Sequence, residues 1–217
     1  GINGAGIARD AAGRGLKVLL VEKDDLASHT SSASTKLVHG GLRYLEHYEF
    51  RLVAESLRER EVLLRNAPHI IWPLRFVMPH EPSMRPKWML RLGLALYDRI
   101  GGRTSLPKSR SVDLRVAPHR NTLQGRLKSG FEYSDCWVED SRLVVLTAKD
   151  AEERGAEILV RTECTGLERN ASNWIAHLQS GAGVRSITAQ AVVNAAGPFV
   201  DRVAVTALGQ GTPAHLR

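Results

Sequence analysis

Residues 1–22 read GINGAGIARDAAGRGLKVLLVE, and the predicted fold starts from this stretch. Gly1 and Gly4 fit the second and third glycines of a G-x-G-x-x-G turn, where small residues let a helix pack closely on a sheet. The continuous apolar run that follows predicts a buried parallel strand ending at Glu22. An acid about 20 residues after the glycines is placed to accept hydrogen bonds from a ribose. Together these features predict the start of a dinucleotide-binding α/β domain.

The next unusual stretch, Thr30 to Tyr44, reads TSSASTKLVHGGLRY. It is rich in hydroxyl groups and carries Lys36, His39 and Arg43 around a pair of glycines. Hydroxyls and N–H groups beside glycines can donate hydrogen bonds to phosphate oxygens, and a glycine pair lets the main chain approach a flat ring. Composition alone leaves open a solvated Ser/Thr-rich connector. The position after the predicted strand favours an anion-binding loop, in which Arg43 is expected to bind the anion.

Hydrophobic periodicity and turn residues predict the elements that follow. Helices are expected over residues 45–64, 85–103 and 140–154. Strands are expected over 70–78 with a break at Pro73, and over 130–137, 157–168, 174–178, 184–188 and 191–193. Residues 104–130 are polar and rich in turn residues, and they are expected to be irregular.

Composition narrows the class of protein. The 217 residues contain no apolar run of the roughly 18 residues that a membrane span needs. Cys136 and Cys164 form no C-x-x-C motif and the histidines are scattered, which predicts a reduced, cytoplasmic protein without a metal site. The net charge of +7 suits an anionic substrate or an anionic lipid surface. With 6% aromatic residues and no nucleic-acid-binding signature, nucleic acid is not an expected partner.

One predicted helix, RPKWMLRLGLALYDRIGGR from Arg85 to Arg103, is both amphipathic and basic. Such a helix can lie on a membrane surface with its apolar side among the lipid chains. Its predicted membrane-contact residues are Arg85, Lys87, Trp88, Arg91, Tyr97 and Arg99. The alternative is that its apolar side packs against the rest of the protein.

Two longer motifs carry a family resemblance. Residues 30–46, TSSASTKLVHGGLRYLE, and residues 130–137, GFEYSDCW, resemble those of bacterial FAD-dependent glycerol-3-phosphate dehydrogenases, which are flavoproteins of the D-amino-acid-oxidase type. The resemblance covers essentially the whole chain. It implies a Rossmann-like, doubly wound, three-layer FAD-binding α/β domain with an inserted mixed-sheet substrate or cap domain. It also implies a fragment that lacks the first strand and the C-terminal part.

The resemblance implies a division of the chain and a set of site residues. The FAD-binding domain would comprise residues 1–67 and 141–201, the substrate domain residues 68–140, and a truncated continuation residues 202–217. Substrate would be bound by Arg43 and Tyr44. FAD would be bound by Gly1, Asn3, Gly4, Glu22, Thr30, Ser31, Ser34, Lys36, Leu37, His39, Cys164, Ala196 and Gly197.

The implied reaction is oxidation of sn-glycerol 3-phosphate to dihydroxyacetone phosphate, with electrons passed through FAD to a membrane quinone. The protein would lie peripherally on the cytoplasmic membrane, and a homodimer is left open. The groups that complete the phosphate site and accept the proton are expected outside these 217 residues, so no catalytic residue is predicted and the fragment alone is expected to be inactive. An oxygen-using oxidase of the same fold, an NAD-linked Rossmann dehydrogenase, and a basic membrane- or nucleic-acid-binding module are the alternatives.

Overall fold

The structure is a computed structural model that describes residues 1–120 and 125–208. Contacts between residues divide the chain into two compact units. The first unit comprises Gly1–Ser34 together with the chain from Asp140 on, and the inserted unit comprises Thr35–Glu139.

The described residues form both helices and strands. The helices are α1 (Ile2–Gly13), α2 (Phe50–Asn66), α3 (Lys87–Ile100), α4 (Asp140–Glu153) and α5 (Val200–Leu208). The strands are β1 (Leu19–Val21), β2 (Leu37–Val38), β3 (Ile71–Pro79), β4 (Arg110–Asp113), β5 (Ser129–Val138), β6 (Glu157–Leu159), β7 (Thr162–Arg169), β8 (Trp174–Ser180) and β9 (Gly183–Ala189). Short 3-10 helices form at Thr30–Ser32, Leu42–His47 and Gly197–Phe199.

The first unit is built on close packing of small residues. Ala8 and Ala12 of α1 meet Ala151 of α4 in one buried cluster, against which Leu20 of β1 also packs. Small side chains let the two helices approach closely, as the glycine- and alanine-rich sequence of α1 predicts. β1 pairs in parallel with β6, with Leu20 opposite Ile158. A strand paired in parallel with a sequence-distant strand and covered by helices is the arrangement expected of an α/β domain.

The rest of the first unit follows the predicted strands with two differences. Strands β7, β8 and β9 form an antiparallel meander, as predicted. The strand predicted over 157–168 is split into β6 and β7 at Arg161, whose φ of +51° is incompatible with an extended chain. The strand predicted over 191–193 is wrong, because a strand needs a hydrogen-bonded neighbour and the described residues provide none there.

The inserted unit contains a four-stranded antiparallel sheet in which β5 pairs with β2, β3 and β4. β3 runs without interruption through Pro73, which lies opposite Cys136. The predicted break at this proline is wrong, because among the described residues β3 is an edge strand and an edge position does not require the missing N–H group. β4 lies within the stretch that the sequence predicted to be irregular.

Two helices cover part of this unit. Val53 and Leu57 of α2 pack with Tyr97 of α3 in one buried cluster, which places α2 in the inserted unit. The helix predicted over 45–64 therefore belongs to this unit, and the observed boundary after Ser34 differs from the one predicted after residue 67. The boundary predicted after residue 140 lies within one residue of the observed one. Most of the predicted continuation, residues 202–217, lies outside the described residues.

Candidate cofactor and substrate site

Three predicted cofactor-binding residues meet at the N-terminus of α1. The Ile2 N–H group donates to Ser31 Oγ at 3.0 Å, and the α-amino nitrogen of Gly1 lies 3.5 Å from Glu22 Oε2. A Cβ atom on Gly1 would lie 2.9 Å from Ser31 Oγ, so a larger residue would push the serine away. The structure therefore brings Gly1, Glu22 and Ser31 into one cluster in the first unit.

The first turn of α1 also offers backbone donors. The first N–H groups of a helix lack intrahelical acceptors, and within the described residues those of Asn3 and Gly4 have no other acceptor. Gly4 is buried, and a Cβ atom there would lie 3.4 Å from Leu20 Cδ1 and 3.6 Å from Ala195 Cβ. Available N–H groups at a helix N-terminus suit a pyrophosphate. These residues therefore fit the diphosphate of a dinucleotide such as FAD.

The hydroxyl-rich loop continues this cluster. Thr30 is exposed at the start of a 3-10 helix, and Ser34 Oγ donates to Asp140 Oδ2 at 2.8 Å. Asp140 also accepts the N–H group of Ser141 at 2.8 Å. The sequence predicted only that a helix begins at Asp140, and it did not predict that this carboxylate would hold Ser34.

The remaining predicted cofactor residues of the first unit lie on later elements. Cys164 is half-buried in β7, opposite Leu178 and beside a register shift, and its thiol lies 3.6 Å from the Gly166 carbonyl oxygen. Ala196 and Gly197 form a turn in which the Ala196 N–H group donates to Asn194 Oδ1 at 3.3 Å. The neighbouring Ala195 contacts the Gly4 region, whereas Cys164 lies on the separate three-stranded sheet.

Five predicted residues lie in the inserted unit, around one tight turn: Lys36, Leu37, His39, Arg43 and Tyr44. Lys36 has a left-handed backbone, with φ of +57°, and Leu37 of β2 lies opposite Trp137 of β5. The exposed His39 leads into the buried Gly40–Gly41 pair. β5 therefore anchors the start of the loop that carries the predicted substrate residues.

The glycine pair is required by geometry at both positions. A Cβ atom on Gly40 would lie 2.5 Å from Leu57 Cγ and 2.8 Å from the Tyr97 hydroxyl oxygen. Gly41 has φ of +68°, and a Cβ atom there would lie 2.5 Å from Tyr44 Cδ2. The Gly41 N–H group donates to His39 Nδ1 at 3.0 Å. Because Nδ1 accepts this bond, a neutral His39 carries its proton on Nε2 and can donate from there.

Arg43 follows the glycine pair, and its guanidinium group is available to bind an anion. It is exposed, and it forms no hydrogen bond or ion pair with any described residue. Tyr44 is 49% exposed, and its N–H group donates to the Gly41 carbonyl oxygen at 2.8 Å. A guanidinium group held by a fixed turn and left without a carboxylate partner is suited to bind a phosphate.

A buried polar network lies behind this turn, and the sequence reasoning missed it. Asp135 accepts from Arg60 Nη1 at 2.7 Å and from the Tyr97 hydroxyl at 2.9 Å. The Tyr97 hydroxyl oxygen in turn accepts the Gly40 N–H group at 2.8 Å. Arg60, Tyr97 and Asp135 are all at most 5% exposed. Charged residues spaced along α2 gave no sequence signal that Arg60 and Glu61 would be buried.

Burial and hydrogen bonding shift the pKa of several groups in the inserted unit. Burial raises the pKa of Tyr97 well above its usual range and also raises that of Asp135. Hydrogen bonds from Arg60 and from the Tyr97 hydroxyl favour the ionised form of Asp135 and oppose this rise in its pKa. Hydrogen bonds from Arg110 and from Arg75 lower the pKa of the Glu132 carboxyl to about 2.

Helix α3 corrects one predicted membrane contact and keeps an exposed apolar face. Tyr97 is 3% exposed and hydrogen-bonded to Asp135, so it cannot reach a lipid surface. It lies on the side of α3 that packs on α2. Trp88 and Leu92 are 66% and 64% exposed. The other predicted contacts, Arg85, Lys87, Arg91 and Arg99, are all exposed.

Two further features bear on metals and membranes. Glu22, Asp24 and His29 place potential metal ligands within 4.8 Å of one another. His29 Nε2 lies within hydrogen-bond distance of Asp24 Oδ2, at 2.6 Å, so a hydrogen bond accounts for the proximity of these two residues, and the absence of a metal stays a prediction. Among the described residues no helix is both long and apolar enough to cross a bilayer.

Comparison with known proteins defines the class of protein to which this chain belongs. The family model described as "FAD dependent oxidoreductase" matches residues 1–216. The chain belongs to this family of FAD-dependent oxidoreductases. This confirms the predicted fold class and FAD as the cofactor of the family, and it rejects the NAD-linked dehydrogenase and the non-enzymatic binding module.

Individual relatives give a more specific comparison than the family model does. Over 100% of its own length, this chain is 56% identical to a glycerol-3-phosphate dehydrogenase of Pseudomonas aeruginosa. Over 94% of its own length, it is 58% identical to a D-erythritol 1-phosphate dehydrogenase of Brucella abortus. It spans 42% and 41% of these two relatives. It also matches the structure of the Bacillus halodurans glycerol-3-phosphate dehydrogenase complexed with FAD, with a TM-score of 0.68, 29% identity, and coverage of 95% of this chain and 34% of that one. The resemblance stated from the sequence motifs is confirmed.

Proposed function

We propose that this chain is part of an FAD-dependent dehydrogenase that oxidises sn-glycerol 3-phosphate to dihydroxyacetone phosphate. The observation that carries the proposal is Arg43, an exposed guanidinium group that has no partner among the described residues and is fixed by the turn that follows His39. A phosphate monoester accepts two parallel hydrogen bonds from one guanidinium group. The glycerol-3-phosphate dehydrogenase relatives support the same substrate.

The chemistry sets what the residues must do. Oxidation of the secondary alcohol moves a hydride from the carbinol carbon and a proton from its hydroxyl group, and the flavin when bound supplies the hydride acceptor. Arg43 holds the phosphate, so that the carbinol carbon is kept at a fixed distance from the reacting ring. Tyr44, beside it, is assigned to substrate contact as well. The proton acceptor is assigned to a part of the protein beyond this chain.

The cofactor assignments divide between the two units. In the first unit we assign the diphosphate to Gly1, Asn3, Gly4, Thr30, Ser31 and Ser34, the ribose to Glu22, and further contacts to Cys164, Ala196 and Gly197. In the inserted unit we assign flavin contacts to Lys36, Leu37 and His39. The available N–H groups of the first turn of α1 support the diphosphate site. The Nε2–H group of His39 is suited to donate to a ring oxygen or nitrogen.

Electrons are proposed to leave through a membrane quinone, at a surface to which α3 attaches the protein. Trp88 and Leu92 would enter the lipid, and Arg85 and Lys87 would contact anionic headgroups. The exposed apolar and basic residues of α3 support this arrangement.

The test uses the full-length protein with its flavin. Anaerobic addition of glycerol 3-phosphate should bleach the oxidised flavin spectrum, with one dihydroxyacetone phosphate formed for each flavin reduced. Turnover is then compared with a quinone analogue and with oxygen as acceptor, because faster turnover with oxygen would identify an oxidase. A flavin that stays oxidised in the presence of glycerol 3-phosphate would contradict the proposal.

A second substrate is favoured by a specific observation, the 58% identity to the D-erythritol 1-phosphate dehydrogenase. Both substrates are polyol monophosphates, so the same arginine contact would serve either. Comparing kcat/KM for glycerol 3-phosphate and D-erythritol 1-phosphate in the same preparation decides between them. A higher value for the erythritol phosphate would reassign the substrate while keeping Arg43 as its phosphate ligand.

A further inference from the structure

We propose that Tyr97 and Asp135 are positioning residues for the substrate loop, defined here as residues 39–43. They would act by fixing the main chain at Gly40, which sets where Arg43 and His39 point. The inference rests on the proposed function, because it concerns the loop to which phosphate binding is assigned. It extends that function to two buried residues on α3 and β5 that the loop itself does not contain.

The direction of the hydrogen bonds makes Tyr97 an acceptor toward the loop. Both oxygens of Asp135 accept from the Tyr97 hydroxyl, at 2.9 and 3.0 Å. A tyrosine hydroxyl has one proton, so its remaining capacity toward the loop is to accept. The Gly40 N–H group donates to it at 2.8 Å. Asp135 therefore orients the hydroxyl whose oxygen holds Gly40.

Arg60 keeps Asp135 suitable for this role. Its Nη1 atom donates to Asp135 Oδ1 at 2.7 Å and to the Ser134 carbonyl oxygen at 3.1 Å. Its Nη2 atom donates to Glu61 Oε1 at 3.0 Å. The charge and the hydrogen bond of a guanidinium group favour the ionised form of a neighbouring carboxyl, which is the form that accepts the tyrosine proton.

The loop has little freedom once these bonds form. The two successive N–H groups of the glycine pair are both used, that of Gly40 by Tyr97 and that of Gly41 by His39 Nδ1. Leu57 fills the space beside Gly40, since its Cγ atom lies only 2.5 Å from the place that a Cβ atom on this glycine would occupy. Removing the Tyr97 hydroxyl would leave the Gly40 N–H group buried without an acceptor, which favours movement of the loop. Displacement of a binding group by about 1 Å can strongly reduce catalysis.

A matched pair of variants separates positioning from general stability. Tyr97→Phe removes the hydroxyl that holds Gly40, whereas Tyr133→Phe removes one from a neighbouring tyrosine whose hydroxyl has no hydrogen bond among the described residues. In the full-length enzyme, Tyr97→Phe should lower kcat/KM for glycerol 3-phosphate by about tenfold through a higher KM, as expected for the loss of a buried hydrogen bond. Flavin content should be unchanged, and Tyr133→Phe should stay within about twofold of the wild type.

A double-mutant cycle tests whether Tyr97 acts through Arg43. If it does, Tyr97→Phe should reduce kcat/KM by less than about twofold once Arg43 is already alanine, because the two changes then remove the same contact. Fully additive losses would overturn the inference, as would equal kcat/KM values for the Tyr97→Phe and Tyr133→Phe enzymes. If Tyr97→Phe does not fold, Asp135→Asn, which keeps the side-chain size, replaces it in the same kinetic measurements, and the same outcomes support or overturn the inference.

Amide hydrogen exchange gives a readout that needs no substrate. The peptide covering residues 39–43 should exchange faster in Tyr97→Phe than in Tyr133→Phe, while a peptide from α4 exchanges equally in both. Equal exchange of the loop peptide would overturn the inference. If the wild type does not oxidise glycerol 3-phosphate, the proposed function fails, and this measurement still decides whether Tyr97 positions the loop.

Discussion

Arg43 is the residue on which the substrate proposal depends most. In the full-length enzyme, Arg43→Ala should raise the KM for glycerol 3-phosphate and lower kcat/KM, because a charge-assisted contact of about 1.5–3 kcal/mol is lost. Flavin content should stay near that of the wild type, since Arg43 is assigned to substrate and not to the cofactor. Steady-state kinetics together with the flavin absorption spectrum measure both quantities.

Arg58→Ala is the matched control, because Arg58 is an exposed arginine on α2 outside the loop. Its kinetics should match the wild type. Unchanged kinetics in Arg43→Ala would remove this residue from the site, and loss of flavin in that variant would reassign it to cofactor binding.

Cys136 is expected to be chemically inert in the folded protein. Its side chain is 0% exposed, and burial raises the pKa of the thiol to about 11. At pH 8 roughly one thiol in a thousand is then the reactive thiolate, in a position that reagent cannot reach. Alkylation at pH 8 followed by peptide mapping should find Cys136 unmodified in the native protein and modified in urea. Equal labelling rates in the two conditions would contradict its burial.

Helix α3 shows how one element can serve two surfaces. Its buried side carries Leu94 and Tyr97, and its opposite side exposes Trp88 and Leu92. The interpretation that an apolar side of this helix packs against the protein is confirmed by the buried Leu94 and Tyr97, and attachment to a membrane stays a prediction. Their exposure is what makes attachment to lipid a proposal worth testing.

Reversing two charges at the N-terminal end of α3 tests this attachment, because Lys87 begins the helix and Arg85 lies two residues before it. In the full-length enzyme, Arg85→Glu with Lys87→Glu should release the protein from anionic vesicles, because each basic residue near such a surface contributes about 1 kcal/mol. Arg91 is left intact, since its Nη1 atom donates to Ser109 at 3.0 Å. Vesicle co-sedimentation measures binding, and activity with a quinone analogue should fall more than activity with a soluble dye.

The control for this experiment reverses two exposed arginines on α2, Arg58→Glu with Arg65→Glu. The change in net charge is the same, so a general electrostatic effect would release both variants equally. Binding to anionic vesicles that survives the change on α3 would show that this helix is not the attachment site.

The stability of the whole protein should depend on Glu132 in a pH-dependent way. This carboxylate is 6% exposed and lies 2.7 Å from Arg110 Nε and 3.0 Å from Arg75 Nη2. Its pKa is lowered from 4.5 to about 2 in the folded state, so it stabilises the fold above its unfolded pKa. That contribution is lost as pH falls from about 4.5 through about 2, because the native carboxylate must then be protonated.

Glu132→Gln should therefore lower the urea midpoint at pH 7, and the difference from the wild type should shrink progressively below pH 4.5. Glu152→Gln, an exposed position on α4, should change the midpoint little at any pH. A constant difference between wild type and Glu132→Gln from pH 7 to pH 2 would show that lost packing, and not the titration, accounts for the effect.

Local sequence was sufficient to predict much of the fold, whereas the cofactor-binding residues stay a prediction. The small residues of α1 and the apolar run ending at Glu22 predicted a close helix–strand contact, because these patterns depend on neighbours along the chain. Helices α3 and α4 and the β7–β9 meander followed from periodicity for the same reason. The motif over residues 30–46 was specific enough to indicate the family.

Contacts between residues far apart in the chain account for the features that the hydrophobic pattern of the sequence did not predict. Pro73 sits within β3 because its strand is at an edge, which depends on which strand pairs with which. Residues 191–193 have a strand-like composition but form no ladder, since no described strand lies beside them.

The amino-acid sequence alone was enough to specify an FAD-binding α/β chain with a glycine turn that carries Arg43. Only the tertiary structure determined which residues surround that turn. Hydrophobic periodicity shows which side of a helix is apolar, but it does not show which residues pack against that side. Tyr97 was expected at a lipid surface, and instead it is buried and accepts the Gly40 N–H group. Asp135 and Arg60 come from elements far apart in the chain, so their contact exists only once α2, α3 and β5 have packed together.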